Sequence, residues 1–371
     1  DSSTSRGLGD VYKRQTFYWP ASPSSGGSFD EPNDPNRGDV HYWEVWHGNK
    51  PFSEYRKYFF RYASEFGFQS FPSVKTLETV TDDPKELNPF SYVMEKHQRN
   101  YGGNGKIAKY MQAAYRYPEN FSDFVYASQL LQADGIRYGV EHYRRNRGRC
   151  MGAIYWQLND CWPVISWSSI DYYGRWKALH YYAKRFFAPV MLSCEEQSWM
   201  TVEADMNRQH FEFEKSIRLN VTNETLDAHR VLVKWAVRKT DATILREEEQ
   251  WLEVPALSAV WMDKVELPQI DCFNEYVSYE AWENDQIISQ GTVIFSYPKY
   301  FHYLNPGLAV RVDGDEIVVK AEAYAKSVEI RNENDDLILE DNYFDMNAGE
   351  YRVKILDGKP DGLKVRSVYD I

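Results

Sequence analysis

The hydrophobic period of this chain changes at Pro189, and that change limits the fold more than any other feature. Before it, "FSDFVYASQLLQADGIRYGVEHYRRN" places Phe124, Ala127, Leu130, Leu131, Ile136 and Val140 at helical spacing. Ser122 or Asp123 is positioned to cap that helix. "YGRWKALHYYAKRFFAP" reads as a further helix, stopped by Pro189. Short apolar strands lie between: "TFYWPAS", "DVHYWEVW", "FRYASEFGFQ" and "CMGAIYWQLND". Strands alternating with helices predict parallel pairing. After Pro189 the period falls to two. "SIRLNVTN", "RVLVKWAV", "VSYEAWEN" and "SQGTVIFSY" read as strands of a β-sandwich. A second sandwich begins near Tyr297, has a hairpin signal at Asp313-Gly314 and ends on "GLKVRSVYDI". The same alternation puts Trp199, Trp235, Trp251, Trp261 and Trp282 mostly in core or interface.

A length of 371 residues suits two or three domains. The balance of 43 Lys+Arg against 55 Asp+Glu, net −12, repels phosphate backbones and anionic lipid, so nucleic acid and membrane are not expected partners. No apolar run is long enough for a membrane helix. The four cysteines lack metal spacing and read as buried thiols. No metal or organic cofactor is expected. Twelve Trp and 28 Tyr are enough flat rings either for a large aromatic core or for stacking on sugars. Residues 1–15, "DSSTSRGLGDVYKRQ", carry neither a core pattern nor a signal peptide. Their "DVYKRQ" resembles the translation of a transposon end used to build sequencing libraries. They are expected to be a non-native, adapter-derived segment, with the protein proper starting in mid-domain at about Thr16.

The chemistry-bearing candidate is Glu65, set in "RYASEFGFQS" among aromatic residues and beside Gly67. Strict alternation puts Arg61, Ala63 and Glu65 on one face, and Phe60, Tyr62 and Ser64 on the other. In a parallel barrel the first face would look inward near the mouth, and the second would pack under helices. Glu65 then lies at the carboxyl end of its strand, where barrel enzymes keep catalytic groups. Asp39, His41 and Trp43 share a face of "DVHYW", as do Ile154 and Trp156 of "GAIYW". Each taken alone has an ordinary reading: a solvated Glu, a structural His, a core Trp. Together they predict convergence at one mouth.

"YASEFGFQSFPS", "GAIYWQLNDCWPVISWSSIDYYGRWKALHYYAKRFFAPV", "DVHYWEVWHG" and "FYWPASP" resemble β-mannosidases of glycoside hydrolase family 2, and "DNYFDMNAGEYRVKI" is similar to their C-terminal immunoglobulin-like domain. The resemblance implies the second half of a (β/α)8 TIM barrel over residues 16–188. Two all-β immunoglobulin-like sandwiches follow, at 189–296 and 297–371. It also implies a retaining exo-β-mannosidase that acts on terminal β-mannosides or manno-oligosaccharides. Glu65 matches the nucleophile and Trp156 the floor of the sugar subsite, with a cis peptide at Trp156–Gln157. His41 and, less securely, Trp43 match site positions, and Trp19 lies near the mouth. Arg61 or His41 could supply donors to Glu65. The family's acid/base sits in an Asn-Glu pair on the fourth barrel strand, and none exists in residues 16–64. At about 31 residues per βα unit, that strand falls about 90 residues before Glu65 and so upstream of this chain. The chain is therefore expected to be inactive by itself. The alternatives are a β-galactosidase or exo-β-glucosaminidase of the same family, or a non-catalytic carbohydrate-binding module.

Overall fold

A computed structural model describes residues 19, 21–27, 30–202 and 212–371. The adapter reading of residues 1–15 lies outside the described residues, as does most of the "TFYWPAS" strand. The elements before Pro189 are β1 (Val40–His41), β2 (Ala63–Glu65), α1 (Val74–Leu77), α2 (Tyr92–Lys96), α3 (Gly103–Ala114), α4 (Phe121–Arg145) and α5 (Ala178–Phe186). β1 and β2 pair in parallel. A third extended segment continues the sheet: Ala63 N donates to Gly152 O at 3.0 Å, Ile154 N to Ala63 O at 2.8 Å and Trp156 N to Phe66 O at 2.7 Å.

One side of this short sheet is covered by α4. The Phe66 ring lies 5.9 Å from that of Tyr143, and an added Cβ on Gly139 would meet Phe66 and Tyr55. The other side is open, exposing Ile154 and Trp156. α4 starts at Asn120, whose side chain accepts from Asp123 N, so the cap lies two residues before the earlier of the expected candidates. His142, Arg144 and Arg145 crowd its last turn, where the helix dipole favours cations.

The strands after Pro189 are β3 (Val190–Gln197), β4 (Ser216–Asn223), β5 (His229–Lys239), β6 (Ile244–Val254), β7 (Ser258–Trp261), β8 (Val265–Glu266), β9 (Glu275–Glu283) and β10 (Gln286–Ile294). Sheets β3-β4-β7 and β10-β9-β5-β6 share one core that includes Val221, Val233 and Trp235, with β8 pairing β4. Trp251 departs from expectation: it is 53% exposed. It stands opposite Leu232, whose neighbours Val231 and Val233 point inward, so the pleat turns it outward. The last sandwich comprises β11 (Ala309–Asp313), β12 (Glu316–Ala321), β13 (Ala325–Arg331), β14 (Ile338–Leu339), β15 (Phe344–Met346), β16 (Gly349–Asp357) and β17 (Lys364–Arg366). Gly314, at φ 66°, turns the β11–β12 hairpin. Its core is continuous with that of the helices: Tyr343 approaches the rings of Tyr126 and Tyr181 at 6.2 and 5.8 Å. Charged pairs tie the middle sandwich on as well, Arg56–Glu196 at 2.7 Å and Arg147–Glu224 at 2.9 Å.

Candidate active site

An irregular register at β2 decides where Glu65 points. Val40 stands opposite Ala63, but His41 stands opposite Glu65, so Ser64 is an extra residue. A bulge of this kind re-aims the side chains that follow it. Ala63 is 1% exposed and faces the helices. Ser64 and Glu65 both turn to the open side, to Asp39 and His41. Strict alternation therefore fails for Ala63 and Ser64, while Glu65 reaches the expected side because of the bulge.

Glu65 Oε2 lies 2.8 Å from His41 Nδ1. Ser22 Oγ is 2.9 Å from the other imidazole nitrogen, and Asn33 Oδ1 takes the His41 backbone N–H at 2.8 Å. Beneath them Asp39 collects four donors: Trp19 Nε1 at 2.9 Å, Ser24 N at 2.9 Å, Ser22 Oγ at 2.6 Å and Ser64 Oγ at 2.5 Å. Burial by itself would raise the Asp39 carboxyl, but these hydrogen bonds hold it below the ordinary carboxylate range. Sequence reading had noted Asp39 only as sharing a face with His41, and it missed Ser22 and Ser64. A serine has no periodicity signal that would have shown it reaching a buried carboxylate.

Gly67 answers why a glycine follows this glutamate. A Cβ there would stand 2.4 Å from Trp156 O, 3.0 Å from the Trp43 ring and 3.1 Å from the Trp167 ring. Only hydrogen fits, and its absence of bulk lets three chain segments close on one point. Trp43 meets Trp167 edge-on at 6.0 Å. Trp156 is 46% exposed, and the Trp156–Gln157 peptide is cis. Its neighbour Tyr155 turns to the helix side, where the ring stacks on Phe187 at 6.3 Å and the hydroxyl pairs with Ser169 Oγ at 2.9 Å.

Arg61 does not join the group. Its guanidinium donates to the carbonyls of Gly148 and Arg149 at 3.1 and 3.0 Å, at the opposite end of the strand. Four steps of extended chain separate it from Glu65, about 13 Å. The carboxylates of the following loop are committed elsewhere. Asp160 accepts from Ser166 and Ser168 at 2.6 and 2.5 Å, and Asp171 accepts from Thr76 Oγ1 and from the N–H groups of Tyr173 and Arg175. Desolvation raises the Asp160 carboxyl and brings the neighbouring Lys177 ammonium down to about 8.

Residues 215–300 match the Mannosidase Ig/CBM-like domain family, and residues 303–371 an Ig-fold domain family of mannosidases. Beta-mannosidase B of Aspergillus terreus is 28% identical over 364 residues, covering 94% of this chain and 42% of that protein. Beta-mannosidase B of Thermothelomyces thermophilus is 30% identical over 383 residues, covering 95% and 44%. Among solved structures, the β-D-mannosidase of Dictyoglomus thermophilum superposes with a TM-score of 0.84 at 27% identity, over 98% of this chain and 44% of that one. The exo-chitosanase of Amycolatopsis orientalis shares the fold, with a TM-score of 0.64 at 16% identity over 98% and 50%. The chain spans less than half the length of the curated relatives it matches. Along nearly all of its own length, it is related to the β-mannosidases of glycoside hydrolase family 2.

Proposed function

We propose that the chain is the C-terminal portion of a retaining exo-β-mannosidase. On this reading residues 16–188 are the second half of a (β/α)8 barrel, and 189–296 and 297–371 are immunoglobulin-like accessory domains. The pairing of His41 with Glu65 at 2.8 Å, beside an exposed Trp156, carries the reading. The open, partly apolar side of a parallel sheet supports it too, because such sheets are normally covered on both faces.

Glu65 acts as the nucleophile. One carboxylate oxygen bonds to the anomeric carbon of a terminal β-mannoside as the bond to the leaving oxygen breaks. That oxygen takes its proton from a second carboxyl, supplied upstream of this chain. Water, giving its proton back to the same group, then hydrolyses the glycosyl ester with net retention. Trp156 offers a flat apolar face to the sugar, Trp43 closes the side, and His41 donates to the Glu65 carboxylate. Without the acid, leaving-group assistance worth about 10²–10⁴-fold is lost, so this chain alone is inactive.

The test uses the full-length parent. Glu65→Ala should abolish release of mannose from an aryl β-mannoside while azide partly restores it, and a 2-fluoromannosyl inactivator should label the peptide holding Glu65. Labelling of Asp160 or Asp171 would overturn the assignment, and a purified chain active by itself would overturn the division of the site.

A further inference from the structure

The hydrogen bonds around His41 constrain its protons on both sides of the ring. Ser22 Oγ carries a single hydrogen and has two close partners, Asp39 Oδ2 at 2.6 Å and an imidazole nitrogen of His41 at 2.9 Å. Two oxygens 2.6 Å apart need a proton between them. Asp39 has three other donors and its carboxyl is held ionised, so that proton comes from Ser22. The Ser22 oxygen is then an acceptor toward His41, and Nε2 must bear a hydrogen. On the other side of the ring, Nδ1 faces Glu65 Oε2 at 2.8 Å, which again needs a proton. The ring nitrogen has one lone-pair direction there, whereas the carboxylate has acceptor sites on both oxygens, so the proton is assigned to the ring.

We infer that Asp39 is a positioning residue for the site: through Ser22 it fixes His41 as a donor from both ring nitrogens, so that Glu65 always faces an N–H. The chain Asp39–Ser22–His41–Glu65 runs from a buried carboxylate to the candidate nucleophile, with one cation between two anions. Asn33, which takes the His41 backbone N–H, and Ser64, which bonds Asp39 from the bulge in β2, hold its two ends. In function this keeps Glu65 as a carboxylate oriented by one fixed donor, with its second oxygen left to react. No proton need move when the ester forms, because the same N–H passes from a carboxylate oxygen to the ester carbonyl.

The inference rests on the mannosidase reading for its role in catalysis, but not for its proton arrangement. Two measurements separate them. In this chain, nitrogen NMR of labelled histidines at neutral pH, with the His41 signal assigned by its absence in His41→Gln, should show both ring nitrogens protonated. Ser22→Ala and Asp39→Asn should each move His41 to a neutral ring with one bare nitrogen, while Ser22→Thr, which keeps the hydroxyl, should leave the pattern unchanged. A bare nitrogen in the unsubstituted chain, or an unaltered signal in both variants, refutes the proton chain. In the full-length parent, the same two variants should slow 2-fluoromannosyl inactivation and lower kcat by up to about 100-fold with little change in KM. Unchanged kcat in both variants refutes the positioning role. An unsubstituted parent with no activity on any β-glycoside refutes the hydrolase reading and leaves the NMR result to decide the proton chain.

Discussion

Gly67 and His142 show how single atoms set limits on this molecule. Because a Cβ at Gly67 would overlap the Trp156 carbonyl and crowd two indoles, Gly67→Ala should cost about 1–3 kcal/mol by overpacking. Urea unfolding measures the cost, and a tryptophan emission shift would report displacement of Trp43 or Trp156. His142 is buried beneath Arg145 and donates from Nε2 to Tyr58 O at 2.8 Å. Burial first, then Arg145, push its value down to about 3. The unfolded chain binds its proton near pH 6.5 and the folded chain only near 3, so stability falls on acidification between those limits, by up to about 1.4 kcal/mol per pH unit. Between pH 7 and pH 5, His142→Gln should lose about 2 kcal/mol less than the unsubstituted chain; equal losses in denaturant titrations would remove His142 as the cause. The meeting of Glu65 with His41, at 2.8 Å, could be expected from sequence because each ends a short, clear strand and a charged residue among aromatic ones is conspicuous. Arg61 was misplaced because sharing a face says nothing of distance along the chain, and its guanidinium is held by the Gly148 and Arg149 carbonyls. The extra residue in β2 was missed because no composition signal marks a bulge that contains an ordinary serine.

α4 does more than cover the sheet: its Gln132 fastens the segment after β2 to the loop around Trp167. The side-chain amide donates to Phe68 O and Trp167 O at 2.9 Å each, and accepts from Ser70 Oγ at 2.6 Å. The Trp167 carbonyl also takes the Gln157 N–H, next to Trp156. Gln132→Leu leaves buried carbonyls without donors and should cost about 2–4 kcal/mol, at roughly 1–3 per unsatisfied group with partial relaxation. Thermal unfolding would detect that loss, and an unchanged Tm would mean that water replaces the amide. The helix itself was readable from its periodicity, whereas its start was not: Asn120 outcompeted Ser122 and Asp123 because its side chain reaches the Asp123 N–H. Most sandwich strands were legible for the complementary reason, a strict period of two. Trp251 shows that period carried one residue too far by a hydrophobicity argument, since its large ring sits outside with the Arg230 guanidinium 4.5 Å over it.

The whole molecule is not three independent beads. The middle sandwich has its own core, but the last one is built into the helices around Tyr126, Tyr181 and Tyr343. Arg366, near the end of the chain, lies 4.4 Å over the Tyr126 ring, pairs with Asp123 at 3.0 Å and meets Glu329 in a close ion pair. Glu329 and its neighbours hold the guanidinium above its ordinary value despite burial. Removing one partner of a buried pair costs about 3–5 kcal/mol, so Arg366→Ala should destabilise the helical layer together with the last sandwich in one transition. Two separated transitions by circular dichroism would show that the two fold apart. Order of synthesis follows from this joint core. While a ribosome is still making β11 to β17, α4 has already emerged, yet the surface it must bury against Tyr343 and Arg366 does not exist. A nascent chain paused there would leave Tyr126 and its neighbours uncovered, so the start of α4 could not reach its final packing until the last sandwich had been translated.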